Sequence, residues 1–314
     1  MSKSTVRYIL RRLAISAVTL FVILVVLFCM VRFLPGSPIN NEHLSDAQRA
    51  AIEASYGLDL PIPQQFIKYV GGMLTGDFGV SMNLYRDMQV SSLVASRAPI
   101  SFFLGLSACI LGTIVGILLG VVAALKKNTI WDTLATVLSV IGVSIPSFVF
   151  AMLILIIFGT NLHVLPTMYS SRQPIYSAIM PILALSVSVI ANVARFTRTE
   201  MISVLNSDYI MLAKAKGLSQ KDIILKHALR NTLIPIVTIL GPILVNLMTG
   251  TMVVEKICSV PGLGSLLINS IQASDYNVIL ACSFLYAAMY IIMMLVIDVS
   301  YGLIDPRIRL GKDD

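Results

Sequence analysis

Apolar residues along this chain gather into six runs long enough to cross a bilayer, at about 9–34, 99–125, 134–158, 178–198, 233–254 and 277–303. The first contains 19 uncharged residues from Leu13 to Val31, which at about 1.5 Å per residue nearly span a hydrocarbon core. Lys3, Arg7, Arg11 and Arg12 precede it, a pattern that predicts a retained signal-anchor helix rather than a cleaved signal. The fold class expected from these runs is an all-α polytopic membrane protein with six transmembrane helices.

Polar and punctuating residues divide the rest. The stretch 35–98 is too long and polar for a connector and predicts a small structured insertion: Ser45 caps a helical run that stops near Gly57, and prolines, an amphipathic helix and glycine turns follow. It suits either a cover over a pathway or a brace for the first two spans. Gly112, Gly116 and Gly120 repeat at four-residue spacing in the second span and predict a close-packing face. Pro146, in SIPSF, predicts a kink in the third. Asn246 and Thr249 share a face of the fifth span. Together with Asn192 in the fourth they are candidates for lining a hydrophilic path, and equally for bonding to neighbouring helices or the preceding backbone. After Glu255, PGLG must turn and LLINSI is short and apolar, which suggests a reentrant or interfacial element. Asp298, near the end of the sixth span, needs a partner or water.

The most informative polar stretch is Met211 to Pro235, MLAKAKGLSQKDIILKHALRNTLIP. Gly217 interrupts helical propensity and suits the left-handed conformation that ends a helix. Ser219 then caps a second helix, and Asp222 three residues later completes a capping-box-like arrangement near the positive end of the helix dipole. Asp222 and Lys226 stand four apart in the favourable order, and Ile223, Ile224 and Leu229 supply an apolar side. The prediction is helix, glycine break, helix. With no nucleophile beside a base, no metal-ligand cluster and no phosphate-cradling loop, its chemistry is that of a docking surface. A solvated loop whose lysines only set topology is the other reading.

Composition changes this picture little: 57% of the 314 residues are hydrophobic and 12% charged, against about 25% charged in soluble proteins. Charge distribution changes it more. The N-terminus holds four Lys and Arg, the 126–133 loop two, the 195–232 loop seven and the C-terminal tail three, leaving Arg32, Arg49, Lys68, Arg86, Arg97, Arg172 and Lys256 for the other side. The positive-inside rule then puts both termini and the stretch around Gly217 in the cytoplasm, and 35–98 outside. Arg195 and Arg198, at the boundary, suit snorkelling to headgroups, and Glu200 and Asp208 lie close enough in sequence to join them in an ionic network. The net charge of +7 is accounted for by this sorting and implies no nucleic acid. Cys29, Cys109 and Cys282 fall in apolar runs and only Cys258 in a loop, so no disulfide is expected. His43, His163 and His227 lack ligand-like spacing, so no metal site is expected.

The chain resembles a known family, the type I permeases of ATP-binding-cassette importers, in the branch handling dipeptides, oligopeptides and, in some members, nickel or glutathione. The resemblance rests on FLPGSP (Phe33 to Pro38), YGLDLPIPQQFIKYVGGMLTGDFGVS (Tyr56 to Ser81), SIPSF (Ser144 to Phe148), SDYIMLAKAKGLSQKDIILKHALRNTLIP (Ser207 to Pro235), VPGLG, SDYNVI and DPRIR, in that order. It covers essentially the whole chain. The cytoplasmic stretch looks like the family's EAA loop, which docks on the nucleotide-binding subunit. Only Ala213, Gly217 and Leu229 agree with the general pattern, but the A-K-G-L core and following H-A-L-R-N agree with the peptide branch.

The resemblance implies a division into 1–34 (cytoplasmic tail and first helix), 35–98 (external insertion), 99–304 (transmembrane core with coupling loop 199–232) and 305–314 (cytoplasmic tail). It implies that Asp208, Tyr209, Ala213, Lys214, Ala215 and Lys216 contact the ATPase, along with Gly217, Leu218, Ser219, Asp222, His227, Leu229 and Arg230. It implies a multi-pass protein of the cytoplasmic membrane, importing di- or oligopeptides by alternating access. Nickel or another small solute is the alternative. The chain lacks G-x-x-x-x-G-K-[ST] and is not expected to be an enzyme; ATP and Mg would sit on partner subunits, with no cofactor bound directly. The implied partners are a second homologous permease, two ATPase subunits, an external peptide-binding protein and membrane lipid. A stand-alone channel would not need the docking stretch, and no span carries a Ser-Lys, Asp-Asp or His-Glu-x-x-His set for an intramembrane enzyme.

Overall fold

The computed structural model describes residues 3–33 and 45–304. FLPGSP beyond Phe33, His43, and the tail with Arg307 and Arg309 lie outside the described residues, as do the side chains of Thr249 and Asp298. Among the described residues the regular structure is helical, apart from one antiparallel bridge between Val80 and Gln89. Chain contacts divide the protein into two units: residues 1–101 with 261–314, and residues 102–260.

The first unit contains α1 (Lys3–Phe33), α2 (Asp46–Tyr56), α3 (Ile62–Leu74), the start of α4 (Val90–Leu125), α11 (Leu263–Gln272) and α12 (Tyr276–Ile304). α1 and α11 both pack on α12. Leu24, Phe28 and Val31 are the buried side of α1, whereas Val18, Val22, Val26 and Met30 are exposed, as lipid-facing residues of a spanning helix must be. The described part of the insertion, from Ser45 onward, is folded. Ser45 and Gln48 form a reciprocal capping box at the start of α2, Gly57 ends it at φ 69°, and the Gln65 amide staples the α2–α3 turn by donating to the carbonyls of Leu58 (2.9 Å) and Leu60 (2.7 Å).

A buried carboxylate closes this unit. Asp275 Oδ2 accepts hydrogen bonds from the Ser81 hydroxyl (2.5 Å) and from the backbone N–H groups of Asn83 and Leu84 (3.0 Å each). Asn277 Nδ2 returns a bond to the Val80 carbonyl at 2.8 Å. Ser81 and Asp275 are both fully buried, and the three donors converge on the one oxygen Oδ2, while Oδ1 is buried without a hydrogen-bond partner. GDFGVS and SDYNVI thus meet in space although nearly two hundred residues separate them.

The second unit is built on α7 (Pro174–Leu205), against which α5 (Ile130–Ser144), α6 (Ser147–Ile154) and α10 (Leu229–Ile257) pack. The glycine face of α4 lies on α7 as well. A Cβ added to Gly112 would stand 2.5 Å from Val189 Cβ, one on Gly116 2.7 Å from Val193 Cβ, and one on Gly120 2.5 Å from Thr197 Cβ. These backbones approach more closely than any side chain allows, the use expected of small-xxx-small.

The third hydrophobic run differs from the single kinked span expected at 134–158. Pro146 stops α5 outright: Ile145, in front of the proline ring, is forced to an extended backbone (φ −93°, ψ 126°), and α6 restarts at an angle of 103°. α6 then passes into a π-helical stretch, Leu155–Asn161. Among the described residues, five helices are long and apolar enough to cross a membrane, or six runs if α5 and the following helix form one broken span. The short apolar segment after PGLG is α11, whose Leu263, Leu266 and Leu267 are buried.

Candidate functional site

The stretch singled out in the sequence folds as helix, glycine break, helix. α8 (Asp208–Ala215) begins after Ser207 and buries Ile210 and Ala213, three residues apart on one face, while Tyr209, Met211, Leu212, Lys214 and Ala215 are exposed. Lys216 ends it. Gly217 takes φ 75° in open space, so the left-handed turn, not crowding, requires glycine. That turn points the N–H of Gly217 back to the Lys214 carbonyl (2.9 Å) and that of Leu218 to the Ala213 carbonyl (3.3 Å).

Ser219 opens the next helix with an extended backbone. Its Oγ accepts from the Asp222 N–H at 3.1 Å and donates to Asp222 Oδ2 at 2.6 Å; Asp222 Oδ1 lies 2.6 Å from Lys226 Nζ. One α-turn (α9, Gln220–Asp222) leads into a π-helical stretch, Ile223–Ala228, and then without a break into α10. The second helix was expected as a regular amphipathic α-helix over Ser219 to Leu229, and its middle is wound wider. Ile223 is buried and Ile224 and Leu229 half-buried as the pattern requires, His227 is half-buried and Arg230 exposed.

The exposed turn Lys214 to Ser219 stands on a buried apolar base. Ala124 from α4, Met201 from α7, Ile210 and Ala213 from α8, and Ile223 and Ala228 from the π stretch form one buried apolar cluster. Thr232 donates to the Ala228 carbonyl at 2.9 Å and lies 3.4 Å from Met201 Sδ. Asn231 Nδ2 bridges the Tyr209 hydroxyl and the His227 carbonyl, both at 3.0 Å. An exposed, capped, basic turn over such a base can bind a complementary surface and transmit its displacement. It holds no catalytic set, and among the described residues no group of three metal-binding side chains converges.

Arg198 departs from its expected place. Instead of snorkelling or joining Glu200 and Asp208, its guanidinium forks onto Asp132: Nε to Oδ1 at 2.5 Å and Nη2 to Oδ2 at 2.8 Å. Asp132, in the first turn of α5, also accepts from the Asn128 N–H at 2.9 Å and is nearly buried. Sequence reasoning passed over Asp132, although a lone acid following Lys126 and Lys127 at the head of an apolar run was a signal. Asn231 and Met201 were also missed, their partners being set only by tertiary packing.

Two of the three expected path residues have described side chains. Asn192 donates to the Ser188 carbonyl of its own helix at 2.8 Å, and Asn246 lies on the exposed side of α10. A cavity of about 290 Å³ between α6, the π stretch after it and α7 is lined by Ile154, Phe158, Leu165, Leu183, Ser186, Val187 and Ile190. Its one hydroxyl, Ser186, already donates to the Leu183 carbonyl at 2.8 Å, so this space suits apolar groups. Cys29, Cys109, Cys258 and Cys282 are free thiols.

Residues 116–310 match the family described as binding-protein-dependent transport system inner membrane component, and residues 5–101 match its N-terminal part. The chain is 45% identical to the dipeptide transport system permease protein DppB of Lactococcus lactis, over 97% of this chain and 100% of that protein. It is 43% identical to the oligopeptide transport system permease protein OppB of Escherichia coli, over 96% and 99% respectively. It is 41% identical to DppB of Bacillus subtilis, over 98% and 99%. Among solved structures, an inward-facing methionine ABC transporter, MetNI, aligns with a TM-score of 0.57 at 14% identity, covering 68% of this chain and 96% of that one. An amino acid ABC transporter solved with histidines aligns at 0.52 and 15%, covering 67% and 92%. These two likenesses concern the fold.

Proposed function

The chain belongs to the family of binding-protein-dependent transport system inner membrane components, and on that premise we propose that it is the permease subunit of an ATP-driven importer of dipeptides or oligopeptides. The peptide substrate is supported by relatives at 41% to 45% identity over nearly full length that are named as dipeptide and oligopeptide permeases. A second, homologous permease would complete the pathway, two ATPase subunits would carry ATP and Mg, and an external binding protein would deliver the peptide.

The observation that carries the mechanism is the exposed Lys214 to Ser219 turn seated on the buried Met201, Ile210, Ala213 and Ile223 base. On this reading the turn faces the cytoplasm and enters a cleft on the ATPase. Lys214 and Lys216 provide charge for recognition, and the Ser219–Asp222 cap keeps the helix end intact under load. ATPase dimerisation would shift the turn, and the continuous helical run from Gln220 through α10 would carry the shift into the spans. Alternation between outward and inward access follows when the base moves as one body.

Reconstitution of the chain with a second permease, ATPases and a peptide-binding protein in proteoliposomes tests this. ATP-dependent peptide uptake that requires every partner is expected. Peptide flux without the ATPases, or ATP hydrolysis by the purified chain alone, would overturn it.

A further inference from the structure

The Asp132–Arg198 pair lies beside the base of the docking turn but is no part of it. Arg198 is one helical turn from Met201, which is fully buried among Ile210, Ala213 and Ile223. Asp132 belongs to the first turn of α5, the helix that runs along α7 and ends at the Pro146 break. Both carboxylate oxygens and two guanidinium nitrogens are engaged, so the pair fixes distance and rotation together. The Asn128 N–H adds a third bond, which makes the same carboxylate the closure of the α4–α5 turn. On the adjacent residue of α7, Thr197 is wedged against Gly120. The end of α7 is therefore held against α4 by contact and against α5 by a polar fork.

Apolar helix faces slide past one another at small cost, whereas a bidentate ion pair resists both translation and twist. Remaining contacts between α5 and α7 include close packing such as Gly142 against Ala191. Without the fork, the α7 end could follow the docking turn while α5 stayed behind.

We propose that Asp132 and Arg198 are positioning residues of the transport cycle, carrying displacement of the docking segment into α5 and, past Pro146, into α6. The inference rests on the importer reading above. Its signature is coupling: breaking the fork separates ATP hydrolysis from transport, whereas a purely structural brace would change the amount of assembled complex and leave the ratio alone.

The test uses the complete transporter in proteoliposomes, with uptake of a labelled oligopeptide and phosphate release measured on the same preparation. Asp132→Asn keeps the shape and removes the charge; Arg198→Lys keeps the charge and removes the fork. Hydrolysis stimulated by the loaded binding protein is expected to stay within about twofold of the parent, and peptide imported per ATP to fall about fivefold, the scale of couplings altered by residues remote from both ligands. Asp132→Glu, which retains charge and acceptor number, is expected to recover most of the ratio and serves where Asp132→Asn yields no complex. Uptake and hydrolysis changing by one common factor in these variants would overturn the inference. A parent complex without ATP-dependent uptake would instead overturn the importer reading, so the two failures are distinct.

Discussion

The Tyr209 hydroxyl accepts a 3.0 Å hydrogen bond from Asn231 Nδ2, joining α8 to the first turn of α10 across the whole Lys214 to Ser219 turn. Tyr209 is 44% exposed, so water competes for this bond. Tyr209→Phe should therefore lower stability by no more than about 1 kcal/mol, the scale of one neutral hydrogen bond. Thermal melting of the purified permease checks this, and a loss several times larger would mean that the ring itself had moved.

Gly217 needs its positive φ but has nothing around it. Gly217→Ala should cost about 1 kcal/mol through backbone strain alone, Gly217→Asn less, and a β-branched residue more. The matching measurement is ATPase retained on the immobilised permease across the series. An order following side-chain size with Ala above Asn would point to sterics at the ATPase surface instead.

Gly120 and Gly105 make a contrast within one helix. A Cβ at Gly120 would meet Thr197 Cβ at 2.5 Å and the Ala194 carbonyl oxygen at 2.6 Å, whereas the nearest atom at Gly105 is 4.0 Å away. Backbone cannot rotate aside, so Gly120→Ala should cost roughly 1–3 kcal/mol and Gly105→Ala little or nothing. Melting temperatures in detergent would separate them; equal effects would count against the α4–α7 contact.

Cys258, past the end of α10, has its thiol pushed up to about 11 by burial. The folded protein holds that proton in the range where an unfolded chain has begun to lose it. Stability from this group is thus present below pH 9 and declines as pH rises from 9 towards 11. In a variant retaining only Cys258, maleimide labelling should be slow at neutral pH and accelerate over that window and on denaturation. Rapid labelling at pH 7 would contradict the burial.

Local chemistry made much of this legible in advance. Gly217, Ser219, Asp222 and Lys226 act on neighbours within four residues, so their cap, turn and ion pair could be read from spacing. The same holds for Ser45 and Gly57. Pro146 was visible as a disturbance, but its consequence, a full break, depends on what packs around the freed backbone. The partners in Asp132–Arg198 and Ser81–Asp275 were hidden because spacing does not say which distant residue meets a carboxylate, even where, as at Asp132, its place at the head of an apolar run marks it. Asn192 shows the converse: its polarity stood out, and the preceding turn of its own helix satisfies it.

The π-helical stretch Ile223–Ala228 separates the Ser219 cap from Thr232. A π turn accommodates one residue more than the α turn it replaces. The chain there carries a surplus residue that neither the cap nor the buried cluster requires as length. A relative shorter by one residue in this interval can keep both ends in register simply by winding it as α. Gapless alignment through 223–228 is therefore a poor guide to which side chains face the cluster, and the phase of α10 has to be counted from Thr232 rather than from Ser219.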